Sequence, residues 1–337
     1  MNSELILKST ADMSPEDWLR YRKRGIGASE VGAIMGLSPY KSSIELFYDK
    51  IGEEIGYSIE NMAMFMGKEQ EPFIASMWQY WEGSQESMIA NYRAKKLVRK
   101  CQRVNAYVHN PKYPWLFVSL DRKINKHGTR GEGTLELKTI GGWEADKWES
   151  GIPPSHITQV QTQILVCEFE YGELATLRDN RYFDVIPFEK HASICESVIG
   201  QTKEFWDRVE KARVILTRQF EAKRNFNQAA VDDLTAQLHE LEPAPDGSDA
   251  FNDFLKKKYQ IALPGERPGT LEQLETARAH KDLGEKIKEL ESQKQLHSNV
   301  LKNDIRDGCE RLDFGANGYV SWKANTNGVR MFLNKVK

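Results

Sequence analysis

Three residues of this chain have the types and spacing for work on a phosphodiester: Asp121, Glu136 and Lys138. Glu136 and Lys138 alternate with Leu135 and Leu137. The side-chain period of a strand therefore puts the carboxylate and the ammonium on one face and both leucines on the other. Asp121 ends a second short apolar run, Phe117-Val118-Ser119-Leu120-Asp121, and residues 125–133 between the runs are rich in turn formers. The two runs read as a β-hairpin that closes Asp121 on Glu136. Hard divalent cations take one or two carboxylates together with phosphate and water. Such a cation acidifies bound water and offsets phosphate charge, while a lysine alongside orients the nucleophile. An isolated Asp…Glu-x-Lys is ordinarily a surface salt bridge on a strand. The surrounding elements must decide between the two.

Upstream, Ser14-Pro15-Glu16-Asp17 is a helix start, with a serine cap, a proline in the first turn and acids at the positive end of the dipole. That helix carries Trp18, Leu19 and Tyr21 to Arg22-Lys23-Arg24, and Gly25-Ile26-Gly27 breaks it. A second helix opens at Ala28-Ser29-Glu30-Val31 and ends at Gly36. A basic cluster and the Ser29 hydroxyl then lie beside a helix N-terminus able to hold a phosphate; the plainer reading makes Ser29 a cap and the arginines solvated. Ser42 and Glu45 form a capping box for a further helix, which Gly52 stops. Residues 62–81 read as helical with Pro72 awkwardly inside, so that the regular helix begins near Glu69 to Glu71 or kinks there. Glu71 is then near a helix start, where capping is its ordinary role. Residues 91–103 read as a basic, strand-like segment leading through Val104-Asn105-Ala106-Tyr107-Val108 into a meander. A helix over residues 155–167 puts Ile157, Val160, Ile164 and Val166 toward the sheet and Gln159 and Gln163 on another face. A glutamine so placed serves either a metal-bound water or plain polar surface.

The composition sets bounds. A chain of 337 residues with 40% apolar content can bury a full core. No opening stretch resembles a signal peptide and no apolar run reaches membrane-spanning length, so a cytoplasmic protein is expected. Cys101, Cys167, Cys195 and Cys309 lack the spacing of a zinc site or a disulfide framework. A net charge of −2 confines any nucleic-acid surface to a local patch.

Six blocks in order resemble one family: Gly25-Ile26-Gly27-Ala28-Ser29-Glu30-Val31, Gly36-Leu37-Ser38-Pro39-Tyr40-Lys41-Ser42, Gly67-Lys68-Glu69-Gln70-Glu71-Pro72, Ser119-Leu120-Asp121, Leu135-Glu136-Leu137-Lys138-Thr139 and Gln159-Val160-Gln161. Over residues 14–210 they look like the YqaJ-type viral recombinase nucleases, relatives of phage lambda exonuclease within the PD-(D/E)xK fold. The resemblance implies an α/β (α+β) restriction-endonuclease-like core, a mixed central sheet flanked by helices. It implies that Asp121, Glu136 and Glu71, with the Leu137 carbonyl, hold one or two Mg2+ ions, Mn2+ being able to substitute. Lys138 then matches the catalytic lysine and Gln159 the glutamine at the nucleophile. Arg22 and Ser29 match a 5′-phosphate pocket, with Arg24 the alternative to Arg22. The interval from Asp121 to Glu136 is longer than the family's pattern.

The expected function is a Mg2+-dependent 5′–3′ exonuclease acting on double-stranded DNA ends. The resemblance also implies a bacterial host cytoplasm, a phage or prophage source, handover of the 3′ overhang to a phage single-strand annealing protein, and a homotrimeric ring. Two other readings stay open: an endonuclease of the same fold, and a non-catalytic module that binds DNA ends or docks a partner. The expected division is a nuclease core over residues 1–214 and a mostly helical extension over residues 215–337. In the extension, Pro243-Ala244-Pro245-Asp246-Gly247-Ser248 and Pro264-Gly265-Glu266-Arg267-Pro268-Gly269 are linker signals. Residues 271–305 read as a long charged helical stretch, an α-hairpin or a helix packed on the domain in preference to a long coiled coil, and a terminal β-hairpin turns at Asn317-Gly318.

Overall fold

The computed structural model describes residues 4–53, 61–127, 130–142, 148, 151–261, 265–306, 309–324 and 330–336. After β1 (Ile6–Ser9), Ser14 caps α1 (Pro15–Arg22), its Oγ accepting the Asp17 N–H at 3.1 Å. β2 (Ile26–Gly27) leads through a 3-10 turn, Ala28–Glu30, into α2 (Val31–Ile34). Ser42 caps α3 (Ser43–Ile51), and Gly52, at φ +91°, supplies the left-handed residue that ends it. α4 (Met62–Trp78) is capped by Asn61 and runs straight through Pro72, so Glu71 is in mid-helix and not at a helix start. Proline forgoes one backbone hydrogen bond there, and its exposed side carries the loss.

Of residues 91–103, expected as strand-like, the first three end a helix, α5 (Gln85–Arg93), the next seven form a turn and loop, and only the short β3 (Cys101–Gln102) is a strand. The overlooked cue is Ser84, whose hydroxyl accepts the Ser87 N–H at 3.2 Å while Ser87 Oγ accepts from Ser84 N–H in return.

Two sheets follow in place of one hairpin meander. β4 (Ala106–His109) and β5 (Leu116–Ser119) belong to a four-stranded sheet ordered β1-β4-β5-β2. The chain then changes sheets at Leu120-Asp121. β6 (Arg122–Ile124) pairs antiparallel with β7 (Gly133–Ile140), Arg122 opposite Leu135, in a five-stranded sheet ordered β3-β6-β7-β8-β9. The expected partner of the Leu135-to-Lys138 strand was Phe117 to Asp121. The pairing strand begins one residue after Asp121 instead, because Leu116–Ser119 is already committed to β4 and β2.

β7 and β8 (Tyr171–Arg178) are parallel, joined by α6 (Pro154–Cys167), and β9 (Tyr182–Glu189) returns antiparallel. Helices cover both faces of this mixed α/β sheet. On one, Ile74 and Trp78 of α4 pack with Leu135 and Leu137, each buried leucine contributing about 2 kcal/mol. On the other, α6 lies so close that a Cβ on Gly172 would strike Thr134 and press on Val160.

Beyond the sheet, α7 (Ala192–Arg224) is continuous through residues 214–215, where a domain boundary was expected. α8 (Gln228–Glu240) and α9 (Asp249–Lys258) follow, and Leu238, Phe251 and Phe254 join the same core as Phe47 and Phe205. One compact unit therefore spans Met1–Ile261 and a second Ala262–Lys337. Within the second unit α10 (Leu271–Ile305) is one unbroken helix. The expected terminal hairpin is a three-stranded antiparallel sheet of β10 (Arg311–Asp313), β11 (Gly318–Ala324) and β12 (Arg330–Val336). Trp143 and Pro264 lie outside the described residues.

Candidate active site

Register brings the carboxylates together. With Arg122 opposite Leu135, the antiparallel count places Asp121 level with Glu136 just past the end of β6. Asp121 Oδ2 accepts the Leu137 N–H at 2.9 Å, a backbone donor left over where β6 stops. Glu136 points to the α6 face with 2% of its surface exposed. Its Oε1 accepts from Gln159 Nε2 at 2.6 Å and pairs with Lys138 Nζ at 2.8 Å, and its Oε2 accepts from Gln163 Nε2 at 2.6 Å.

The electrostatics are lopsided. Burial, reinforced by the Glu136 and Glu71 charges, pushes the Asp121 carboxyl well above the usual carboxylate range, against the pull of Lys138 and the Leu137 amide. Glu71 of α4 is also raised: burial leads, Arg122 opposes it, and Glu136 adds to it. For Lys138 burial works to lower the pKa, but Glu136, Asp121 and Glu71 outweigh it and hold the ammonium above its ordinary value. Lys138 is thus a charged donor at neutral pH. Among the described residues no group of three or more His, Cys, Asp or Glu side chains is already drawn together as a cation would hold it.

A second charged centre lies under the N-terminal elements. Arg22 Nη2 donates to Glu30 Oε1 at 2.7 Å and reaches Ser29 Oγ at 3.4 Å, so the structure does bring Arg22 and Ser29 together. Lys50 Nζ donates to Glu30 Oε2 at 2.7 Å and to the Arg22 carbonyl at 2.7 Å, and the Gly27 N–H donates to Glu30 Oε2 at 2.8 Å. Burial alone would raise the Glu30 carboxyl; Arg22 and Lys50 overcome it and pull the pKa down to about 2. The partners bear burial unequally, since desolvation holds Lys50 below its usual value even beside Glu30. Arg24 instead stands over the Tyr21 ring at 5.6 Å. α6 packs on the elements of both centres, its Ser155 so close to Gly32 that a Cβ there would lie 3.0 Å away.

Sequence reasoning passes over three of these residues and leaves a fourth, Gln163, without a partner. Lys50 had a signal: it follows Phe47 by three on an otherwise apolar helix face, and such a lysine is buried only with a partner. Glu30 was read only as part of a helix start. Gln163 shares a face with Gln159 and the same two open roles, but nothing in the sequence ties it to Glu136, and Thr134 looks like an ordinary strand residue. Gln161 turns away, its Nε2 donating to the Glu189 carbonyl at 2.8 Å and its Oε1 accepting the His191 N–H at 2.9 Å.

Residues 17–170 match the model of the YqaJ-like viral recombinase domain. Over those residues the chain is similar to that recombinase domain. The match takes in every site residue described above. The chain is also similar to the uncharacterized protein YqaJ of Bacillus subtilis (strain 168), with 27% identity over 320 residues, 94% of this chain and 86% of that protein. Similarity to that protein therefore continues beyond residues 17–170 into the second unit. Two crystal structures of LHK-Exo resemble the chain more distantly. One, in complex with dAMP, aligns with TM-score 0.46 and 19% identity over 61% of this chain and 98% of that one. The other, described as an alkaline exonuclease from Laribacter hongkongensis, aligns with TM-score 0.45 and 20% identity over the same shares. Among the described residues no helix of this chain is long and apolar enough to cross a membrane.

Proposed function

We propose that the recombinase domain is a divalent-metal-dependent deoxyribonuclease that enters at double-strand ends and digests one strand 5′ to 3′. One observation carries the proposal: Asp121, Glu136 and Glu71 share one field with Lys138 as the cation in contact. Buried like charges raise each other's pKa unless something positive joins them, and this all-oxygen donor set fits a hard cation such as Mg2+, with Mn2+ able to replace it. Asp121, Glu136 and Glu71, with the Leu137 carbonyl, are the groups that would hold one or two such ions. The ion supplies an acidified water and charge compensation at the phosphate.

The remaining work belongs to the chain. Gln159 and Lys138 both hold Glu136 Oε1, and in this reading the amide and the ammonium serve the attacking water and the non-bridging phosphate oxygens beside it. Lys138, kept protonated, orients the water and offsets charge and is not the base. Attack at phosphorus expels the 3′ oxygen and leaves a 5′-phosphorylated mononucleotide. Arg22 beside Ser29 favours an exonuclease over an endonuclease, because a guanidinium and a hydroxyl side by side suit a terminal 5′ phosphate. The proposal extends to action in a bacterial cytoplasm, handover of the 3′ overhang to a phage single-strand annealing protein, and a trimeric ring around the product.

Digestion of linear duplex labelled on one 5′ end, with and without Mg2+, tests it, a closed circle serving as control. Mg2+-dependent release of labelled mononucleotide with the circle intact is expected. Cutting of the circle would make the protein an endonuclease, and binding of ends without cleavage would make it a docking module.

A further inference from the structure

Glu136 is held from both sides, but its two oxygens are held differently. Oε1 receives Gln159 and Lys138, while Oε2 receives Gln163 at 2.6 Å. Two donors on one oxygen fix that atom and leave the carboxylate free to swing about it. The donor on Oε2 sets the plane. Gln163 is fully buried in the middle of α6, so its amide has no water to turn toward. Its carbonyl Oε1 accepts from Thr134 Oγ1 at 2.7 Å, and Thr134 is fully buried as well, one turn of the strand pleat before Glu136 on the same face of β7. The chemistry fixes the orientation of the amide. Turned over, it would set its carbonyl against a carboxylate oxygen, two acceptors facing each other. The Thr134 hydroxyl, supplying its proton to Gln163 Oε1, holds the amide the right way round.

We propose that Thr134 and Gln163 form a two-residue positioning relay that locks the plane of the Glu136 carboxylate for the cation. This rests on the metal-dependent reading above. Neither residue touches the reacting atoms. Hydrogen-bonded supports behind a ligating carboxylate set its affinity for metal, and losing one costs roughly 10–100-fold. A glutamine suits the task better than a lysine or arginine would. It fixes the carboxylate without neutralising the negative charge that the cation needs.

The test is direct Mn2+ titration of the full chain, read from the electron paramagnetic resonance signal of free Mn2+, on wild type and on Gln163→Met, Thr134→Val and Thr134→Ser. Duplex-end KM and the thermal midpoint are measured alongside. Gln163→Met is expected to weaken Mn2+ binding about tenfold or more with the end KM unchanged. Thr134→Val, which keeps shape but loses the hydroxyl, shifts it the same way by less, and Thr134→Ser restores it. Binding within twofold of wild type in a folded Gln163→Met overturns the proposal. If Gln163→Met does not fold, the threonine pair decides, and equal Mn2+ affinities for Thr134→Val and Thr134→Ser overturn it. If wild type itself neither binds Mn2+ nor cleaves DNA, the nuclease reading has failed first, and the relay with it.

Discussion

Two carboxylate centres, one at Glu30 and one at Asp121, lie in elements that pack against α6 and have opposite electrostatic character. At Glu30 one carboxylate meets two cations and a backbone N–H, and its pKa falls to about 2. At Asp121 the charges of Glu136 and Glu71 add to burial, Lys138 in contact with Glu136 only partly offsets them, and the pKa rises. The first centre is complete in its own protein partners. The second is left negative, and a scaffold gains nothing from desolvating charge it does not neutralise. Deficit of positive charge at a buried site is therefore what sets the proposed catalytic centre apart from the Glu30 centre, although both are made of the same residue types.

The sharpest way to break this contrast is to worsen the deficit. Lys138→Ala removes the contacting ammonium, and cleavage of duplex ends is expected to fall about 1,000-fold, near 4 kcal/mol of transition-state stabilisation, with end binding retained. Single-turnover digestion beside a filter-binding measurement reads both. Parallel loss of binding and cleavage would mark a folding defect and leave the contrast unsupported.

The converse change at the complete centre should cost stability. Glu30→Gln strands the buried Lys50 ammonium, which is 1% exposed, and about 3 kcal/mol of unfolding free energy is expected to go. The sign with pH follows from the depressed pKa. Stability from ionised Glu30 is whole above the ordinary glutamate value near 4.3 and drains away as pH falls toward about 2. Urea unfolding of wild type should therefore weaken across that window more steeply than unfolding of the variant. Matching slopes would show that Glu30 is not held by its cations.

How far these centres could be read from the sequence depends on range. Helix starts at Ser14 and Ser42 follow from local hydrogen bonds, and the alternation of Leu135, Glu136, Leu137 and Lys138 gave the right faces because period two is local. Which strand pairs with β7 is not local. Leu116–Ser119 and Arg122–Ile124 are both plausible partners by composition, and β2 and β4 decide by claiming the former. Pro72 misled for a related reason: α4 packs Ile74 and Trp78 on the sheet, and that burial outweighs one missing backbone bond. Lys50 and Glu30 lie twenty residues apart, and Thr134 and Gln163 twenty-nine apart. Such pairings exist only after the fold brings α3 under the Arg22 turn and α6 over β7.

A smaller effect of the opposite sign is expected at Asp121. Its folded pKa is raised, so ionising it weighs on the fold, and stability is lost as pH rises from its unfolded value near 3.9 toward the folded one. Asp121→Asn removes that charge and can still accept the Leu137 N–H. Without metal it should be more stable than wild type at neutral pH by on the order of 1 kcal/mol, while abolishing turnover. Adding Mg2+ should raise the melting temperature of wild type and leave the variant unmoved. A variant less stable than wild type in a metal chelator would mean that Asp121 is a structural carboxylate like Glu30.

Arg22 belongs to both accounts, and its loss tests where the structural centre ends. Nη2 is committed to Glu30 and Ser29, but a guanidinium has five N–H donors, and 26% of the side chain is exposed, so it can neutralise Glu30 and meet a terminal phosphate at once. Were Arg22 only structural, Arg22→Ala would slow digestion of 5′-phosphorylated and 5′-hydroxyl ends alike, through a weakened fold. Were it only a phosphate ligand, stability would be untouched. The geometry predicts a mixture with a distinct signature: a drop in stability below that of Glu30→Gln, since Lys50 still pairs with Glu30, together with about a tenfold larger loss on phosphorylated ends than on hydroxyl ends. Arg22→Lys should recover much of the stability and less of the end preference, because an ammonium replaces the charge of a guanidinium but not its planar fork.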